Sequence, residues 1–255
     1  MLYFFNELKK RNPLLYFMGW LHFTAAIICI VAMQFDSTEI LGIDRWIKPM
    51  KFFLSVSNML WTMGWLMNFL HNKKKVRTFS WMIALAMLVE NSIITIQSFR
   101  NTTSHFNNTS PLNSFLFAFM GLIILLFTVT AVLIAIEFFR QKNFDISPAY
   151  LLSIRAGLIL FIIFTSEGGA MLANRGHTVG AADGGAGLPL INWSTLNGDL
   201  RVAHFFGMHA LQIIPLFGFY IAKSKKQVWI ISIAYFILVS LLLAEALIGK
   251  PFLHV

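Results

Sequence analysis

The chain has 255 residues, of which 57% are hydrophobic and only 12% are charged, and its mean hydropathy is +0.70. Soluble domains carry nearer 25% charged residues, so this composition excludes an ordinary soluble protein and indicates a membrane protein. The net charge of +9 does not indicate nucleic-acid binding, because the basic residues form short clusters between apolar segments. The single cysteine, Cys29, excludes an internal disulfide and a cysteine-based metal cluster.

Seven apolar segments are long enough to cross a bilayer, which takes about 20 residues. They predict an all-α, polytopic membrane helix bundle that forms a single domain over residues 1–255. The predicted helices cover residues 14–33, 47–70, 79–99, 112–139, 151–173, 201–222 and 227–249. The first apolar run is too long for a signal-peptide core and has no small-residue cleavage site after it, so we expect the first helix to be retained.

The basic residues alternate between the two ends of these helices. One set of connecting segments holds thirteen of the 20 Lys and Arg residues, and the other set holds seven. Because cytoplasmic loops carry the excess of Lys and Arg, we expect the N-terminus inside and the C-terminus outside. This orientation implies a multi-pass protein of a plasma membrane.

Two of the predicted outer segments are unusual. Residues 100–111 form a polar run of Asn, Thr and Ser. Residues 174–199 are rich in glycine but also contain Trp193 and several apolar residues, which argues against disorder. Loops this long without helical periodicity are often functional, so we expect a folded lid on the outer face, with a plain connecting loop as the alternative.

The second helix carries a polar stripe. Its five members are spaced by three and four residues and therefore share one face: Lys48, Lys51, Ser55, Asn58 and Thr62. Polar residues on a membrane helix are expected to face the bundle interior or water rather than lipid. For the two lysines, the alternative is that they reach the outer headgroups.

Glu90 is the most informative single residue of the sequence. It lies near the middle of the third predicted helix, about 15 Å from either end, and Asn91 follows it. A carboxyl group at that depth must be paired, hydrogen-bonded or protonated. Lys51 and Arg201 are its nearest predicted charge partners by depth, and a structural contact between helices is the alternative role.

Two further carboxylates lie closer to the outer ends of helices. Glu167 precedes Gly168 and Gly169, which allow either a close helix approach or a break. Glu245 lies about one turn from the end of the last helix. Either side chain could simply reach the membrane interface.

The sixth helix brings two histidines into the membrane. Arg201 and His204 are three residues apart and share a face, whereas His209 lies about 140° away from His204 on a regular helix. The two histidines therefore cannot bind one metal ion unless the helix is broken. His22, on the first helix, matches His209 in predicted depth, so this pair could ligate a haem iron.

The run HTVGAADGGAGLPLINWSTLNGDLRVAHFFGMHALQ (177–212) and, less clearly, DRWIKPMKF (44–52) resemble segments of uncharacterised bacterial integral membrane proteins. The resemblance covers less than a quarter of the chain. It implies a bacterial inner-membrane protein, but it brings no activity, cofactor or substrate.

Three functions remain open from the sequence. The first is a binding or transport protein with an outward-facing polar cavity for a small polar or anionic ligand. Its predicted ligand-binding residues are Lys51, Asn58, Arg201 and Glu245.

The second is a membrane enzyme acting on a lipid or quinone, with Glu90 or Glu167 as acid or base and His204 as proton carrier. The third is a haem protein that uses His22 and His209. Apart from that haem alternative, the sequence predicts no metal site. We expect membrane lipids as partners, and neither a cofactor nor an oligomeric state follows from the sequence.

Overall fold

The computed structural model describes residues 2–254, which form ten α-helices and two small antiparallel sheets. The helices are α1 (Leu2–Arg11), α2 (Pro13–Ala32), α3 (Ile47–Met67), α4 (Lys73–Phe99), α5 (Pro111–Arg140), α6 (Pro148–Thr165), α7 (Gly168–Asn174), α8 (Leu200–Met208), α9 (Ala210–Tyr220) and α10 (Lys225–Leu247). The strands are β1 (Glu39–Ile40) paired with β2 (Ile43–Asp44), and β3 (Thr178–Val179) paired with β4 (Gly198–Asp199).

The all-α class is confirmed, and each of the seven predicted helices is present, the fifth and sixth as interrupted pairs. Six segments are long and apolar enough to cross a membrane: Pro13–Ala32, Lys73–Phe99, Pro111–Arg140, Pro148–Asn174, Leu200–Tyr220 and Lys225–Leu247. The protein is therefore a multi-pass membrane protein. The second predicted helix forms as α3, but its polar stripe makes it less apolar than the other six.

Local sequence signals explain where the helices begin. The side chains of Asn12, Asn72, Ser147 and Ser224 each accept a hydrogen bond from the backbone N–H three residues later. Such N-caps satisfy backbone donors that have no partner within the helix. Proline occupies the first helical position after Asn12 and Ser147, where its missing N–H costs nothing.

The chain divides into two compact units, Met1–Glu137 and Phe138–Val255. In the first unit, α3 runs antiparallel to α2 over almost its whole length. Near one end, Trp61 packs where a Cβ on Gly19 would be. Near the other end, Ala26 and Cys29 of α2 form an apolar cluster with Met50 of α3 and with Trp46, which directly precedes α3.

In the second unit, glycines allow helices to approach closely. A side chain on Gly207 of α8 would overlap Phe164 of α6, and one on Gly218 of α9 would overlap Ser153. From the sequence, Gly168 and Gly169 are positions of a possible close helix approach, but the close approaches occur at Gly207 and Gly218. A Cβ on Gly168 or Gly169 would meet no atom within 4 Å.

Two membrane-length segments of the second unit are interrupted. The helix predicted over 151–173 breaks at Ser166 and Glu167, and the one predicted over 201–222 breaks at His209. The hydroxyl of Tyr235 on α10 donates to the carbonyl of Phe206, 2.5 Å away, one turn before the second break. Backbone groups freed by a break in a membrane helix need such partners, because lipid offers none.

Candidate functional site

In the first unit, Glu90 and Asn91 of α4 form a buried polar pair. They are 3% and 2% exposed, respectively, although each is a residue type that is rarely buried. Glu90 Oε2 and both amide atoms of Asn91 have no hydrogen-bond partner among the described residues. Each unsatisfied buried group costs about 1–3 kcal/mol. Three adjacent ones inside a membrane helix therefore point to a role beyond packing.

The partner of Glu90 is not one of those predicted from the sequence. Nε2 of His105 lies 3.9 Å from Glu90 Oε1, and Nδ1 of His105 lies 3.2 Å from Lys48 Nζ. An ammonium group only donates, so Nδ1 accepts, and a neutral ring then carries its proton on Nε2, facing Glu90. Lys48, His105 and Glu90 thus form a chain from the partly exposed start of α3 to a buried carboxylate.

The polar run of residues 100–111 positions His105. Its amide and hydroxyl groups bond mainly to one another: Asn107 Nδ2 donates to Thr102 Oγ1 at 2.8 Å and to the carbonyl of Thr103 at 2.7 Å. Asn101 and Phe106 have positive φ angles of 56° and 53°, which turn the chain back sharply. The segment is a folded cap that carries an imidazole to Glu90, and not a simple solvated loop.

His22 is also buried in the first unit, at 1% exposure. Its Nδ1 donates to the carbonyl of Met18 at 2.7 Å, and its ring packs against Phe53 of α3, with 5.7 Å between ring centroids. The carbonyl of Met87 on α4 is close enough to interact with the ring, although Nε2 makes no hydrogen bond among the described residues. His22 therefore joins three helices of this unit, and a role as a haem ligand stays a prediction.

The polar stripe of α3 does not lie wholly inside the protein. Lys51 is partly exposed, and Asn58 is exposed because the neighbouring positions Met59 and Leu60 supply the buried face of the helix. Asn58 therefore does not lie in the bundle interior, and a position facing water, which the prediction also allows, stays a prediction. A ligand-binding role for Lys51 or Asn58 stays a prediction.

In the second unit, Arg201 holds the glycine-rich segment together. Its Nε and one terminal nitrogen donate to the two carboxylate oxygens of Asp199 at 2.9 and 2.6 Å, and it also donates to the carbonyl of Asn192. Asp199 has a fully buried side chain, caps α8 by accepting from the N–H of Arg201, and accepts a further bond from the N–H of Ser194. Arg201 therefore has a partner two residues away and is not held ready for an intramembrane carboxylate.

A second carboxylate organises the other end of the same segment. Nδ1 of His177 lies 2.5 Å from Asp183 Oδ2, and the backbone N–H groups of His177 and Thr178 also donate to Asp183. Partial burial pushes the pKa of Asp183 up, but the bonds from His177 and Thr178 and the charge of His177 outweigh it, so the pKa lies below its ordinary value. With Trp193 only 8% exposed, residues 174–199 are folded, as their composition predicted.

The intramembrane residues of the second unit lie apart from the Arg201 clamp. Nδ1 of His204 lies 3.1 Å from the carbonyl oxygen of Phe164, and Nδ1 of His209 lies 3.2 Å from Gln212 Oε1. Glu167 is 6% exposed, and neither of its carboxylate oxygens has a hydrogen-bond partner among the described residues. Although α8 and α9 are separated at His209, no three His, Cys, Asp or Glu side chains between residues 2 and 254 come together to hold a metal ion.

Glu245 lies partly exposed near the C-terminal end of α10, beside Asp199 and Lys250. A small, shallow cleft opens within the glycine-rich segment, and Arg201 is part of its wall. Neither Glu167, His204 nor Glu245 lines that cleft. This cleft is therefore not the outward-facing cavity predicted from the sequence. That cavity stays a prediction.

No known protein family, characterised protein or solved structure matches this chain. The function must therefore be argued from the side chains described above.

Of the candidate residues, Glu90 has the strongest geometry, because it is both buried and connected through His105 to the partly exposed Lys48. Sequence reasoning missed His105, which stands alone in a polar loop without a neighbouring motif. It also missed Asp199 as the partner of Arg201, although an Asp immediately before a helix is an N-cap signal.

Proposed function

We propose that the protein crosses the membrane seven times, with α3 as the seventh crossing. The packing of α3 along α2 supports this, because contacts run from Trp61 at Gly19 to Met50 at Cys29. With 21 residues, α3 is about 31 Å long, which matches the hydrocarbon core. Seven crossings and the alternating basic segments then put the N-terminus inside, and the sequence resemblance favours a bacterial inner membrane.

We further propose that the protein binds and transports a small polar or anionic ligand and couples this to proton binding at Glu90. The observation that carries this proposal is the chain from Lys48 through His105 to Glu90. Chains of carboxylates and histidines within membrane segments mark proton relays in pumps and transporters. The unsatisfied amide of Asn91, next to Glu90, is a polar group with bonds to offer a ligand.

The proton transfer is balanced at each atom. Lys48 gives a proton to Nδ1 of His105, while Nε2 gives its own proton to Glu90. The charges on Lys48 and Glu90 are both neutralised, and Lys48 then takes a proton from the outer solution. The 3.9 Å between Nε2 and Glu90 is longer than a hydrogen bond, and one water or a small rotation of the ring closes it.

Neutralising Glu90 alters what its surroundings can bind. An ionised carboxylate repels an anionic ligand, whereas a protonated one donates a hydrogen bond to it. Proton arrival from the outer side would therefore favour capture of a polar or anionic ligand from that side. Lys51, one turn beyond Lys48 on α3, is the charge partner we assign to the ligand.

Proteoliposomes test this proposal. The purified protein is reconstituted with a trapped pH dye, and small organic anions and amino acids are added in turn outside. A transported compound should acidify the lumen, and Glu90→Gln should abolish this signal. The matched control Glu137→Gln, which removes a carboxylate of the same unit that pairs with Lys75, should retain it.

If no compound acidifies the lumen, or if Glu90→Gln is as active as the wild type, the proposal fails. Turnover of a lipid or quinone without net transport would favour the enzyme hypothesis instead. A Soret band that is lost in His209→Ala would favour the haem hypothesis.

A further inference from the structure

One end of the first unit carries a cluster of exposed basic side chains. Its residues lie in the last turn of α1 and in the first two turns of α4, and we call it the α1–α4 basic patch. Its members are Lys9, Lys10, Lys73, Lys74, Lys75 and Arg77. Nδ2 of Asn12 donates to Ser80 Oγ at 2.7 Å, and both residues are buried. This bond holds the corner between α1 and α2 against α4 about two turns beyond Lys73, which places both halves of the patch at the same end of the first unit.

The patch has more positive charge than its acidic neighbours neutralise. Lys75 pairs with Glu137 at 2.7 Å, and Glu7 pairs with Arg11, beside the patch, at 3.0 Å. Among residues 2–254, no carboxylate lies within ion-pair distance of Lys9, Lys10, Lys73, Lys74 or Arg77. Five unneutralised charges, three within residues 73–77 and two in the last turn of α1, are a costly arrangement unless an anion binds there.

The direction of α4 also favours anion binding at the patch. Lys73, Lys74 and Lys75 occupy its first turn, where the helix dipole is positive, and that turn contains no acidic residue. Cations at this end of a helix are unfavourable, whereas a phosphate group is stabilised there by the dipole and by free backbone N–H groups. An anion bound to the patch would thus be attracted both by the side chains and by the helix end.

An exposed aromatic side chain borders the patch, and a second lies on the same helix as its α1 half. Phe17 is 57% exposed, and Lys9 Nζ lies 5.7 Å from the centre of its ring. Tyr3, about two turns before Lys10 on α1, is 78% exposed. Exposed Tyr and Trp rings of membrane proteins concentrate at the level of the lipid headgroups, next to basic side chains that reach the same level. The combination suits a ligand with an anionic head and an apolar tail.

We propose that the α1–α4 basic patch binds an anionic phospholipid through its headgroup phosphate. Lys10, Lys73 and Lys74 bind the phosphate, and the exposed ring of Phe17 lies beside the acyl chains. The patch contains no residue of the proposed proton relay, so this inference stands whether or not the protein is a transporter.

Lipid binding to the full-length protein in detergent tests the proposal. Phosphatidylglycerol and phosphatidylcholine are titrated separately, and bound lipid is counted by native mass spectrometry. The test variant is Lys10→Gln, Lys73→Gln, Lys74→Gln. Its matched control is Lys223→Gln, Lys225→Gln, Lys226→Gln, which removes the same charge from exposed lysines of the second unit.

We expect the wild type to prefer phosphatidylglycerol, and the patch variant to bind it about 100-fold more weakly, since each lysine near a lipid surface contributes about a factor of five. The control should bind like the wild type. Arginine at the same three patch positions should keep the binding, which separates loss of charge from loss of fold.

Equal losses in the patch variant and the control would overturn the proposal, because binding would then follow total charge. Unchanged binding in the patch variant would overturn it as well. Inorganic phosphate that displaces the lipid completely at equal concentration would show a site for free anions, and would contradict a lipid site.

Discussion

The buried clamp between Arg201 and Asp199 gives the sharpest stability prediction. Asp199→Asn removes the charge from a side chain that is fully buried and that accepts four hydrogen bonds, from Arg201 and from the N–H of Ser194. The side-chain amide of Asn accepts hydrogen bonds only at its oxygen. Its nitrogen would therefore face N–H donors of Arg201 or Ser194 with which it cannot bond. We therefore expect the substitution to open residues 174–199.

The magnitude follows from the burial of the two partners. Breaking a fully buried ion pair costs about 3–5 kcal/mol. The side chain of Arg201 is 26% exposed, so water compensates part of its charge, and we expect about 2–3 kcal/mol. That energy raises the population of the open segment by about 30- to 150-fold.

Limited chymotrypsin digestion of the reconstituted protein measures this opening, because cleavage at low protease concentration follows the open population. Glu137→Gln is the control, since its partner Lys75 has a side chain that is 46% exposed and the pair should contribute under about 1 kcal/mol. If Asp199→Asn is cleaved at the wild-type rate, or Glu137→Gln is cleaved as fast as Asp199→Asn, the reasoning about the clamp is wrong.

Three further predictions follow from the packing, the loop and the basic segments. Gly207→Ala should destabilise the protein in detergent by about 1–3 kcal/mol, seen as a lower unfolding temperature, because the added Cβ would overlap Phe164. A Cβ on Gly121 would meet no atom within 4 Å, so Gly121→Ala should leave the unfolding temperature unchanged. Equal effects of the two substitutions would contradict the packing. Asp183 has a pKa below its ordinary value, so its carboxylate stabilises the segment above about pH 4 and loses that effect as the pH falls further. Cleavage by pepsin, which is active in acid, should therefore rise in the wild type as the pH falls below about 4, and a similar rise in Asp183→Asn would refute this. In a Cys29→Ser background, an outside thiol reagent should label a cysteine placed at Asp183 but not one at Lys74, and the reverse pattern would invert the proposed topology.

The positions of the helices could be predicted because long apolar runs leave few alternatives. The helix that contains Glu90 nevertheless begins at Lys73, six residues before the predicted start, because Asn72 caps it and lysines can extend beyond the apolar layer. Glu90 is therefore about 14 Å from the C-terminal end of α4 and farther from the N-terminal end. α1 was not predicted, since its ten residues contain too few apolar positions to resemble a crossing.

The helix interruptions and the contacts of the site were harder to predict. Hydropathy runs continuously through Glu167 and His209, so it gives no signal for a break, although glycines follow the first and Pro215 follows the second. The approach of His105 to Glu90 depends on the fold of a polar loop, in which many pairings of Asn, Ser and Thr are possible. A single sequence does not select among those pairings.

The most direct test of the central claim is whether Glu90 exchanges a proton with the outer solution through His105. Infrared difference spectroscopy of the protein in oriented membranes, after an acid jump on the outer side, should show a protonated carboxyl band that is absent in Glu90→Gln and present in Glu245→Gln. In His105→Gln the same band should rise more slowly, because the amide cannot pass a proton from one atom to the other. A band that persists in Glu90→Gln, or that rises at the wild-type rate in His105→Gln, would contradict the relay.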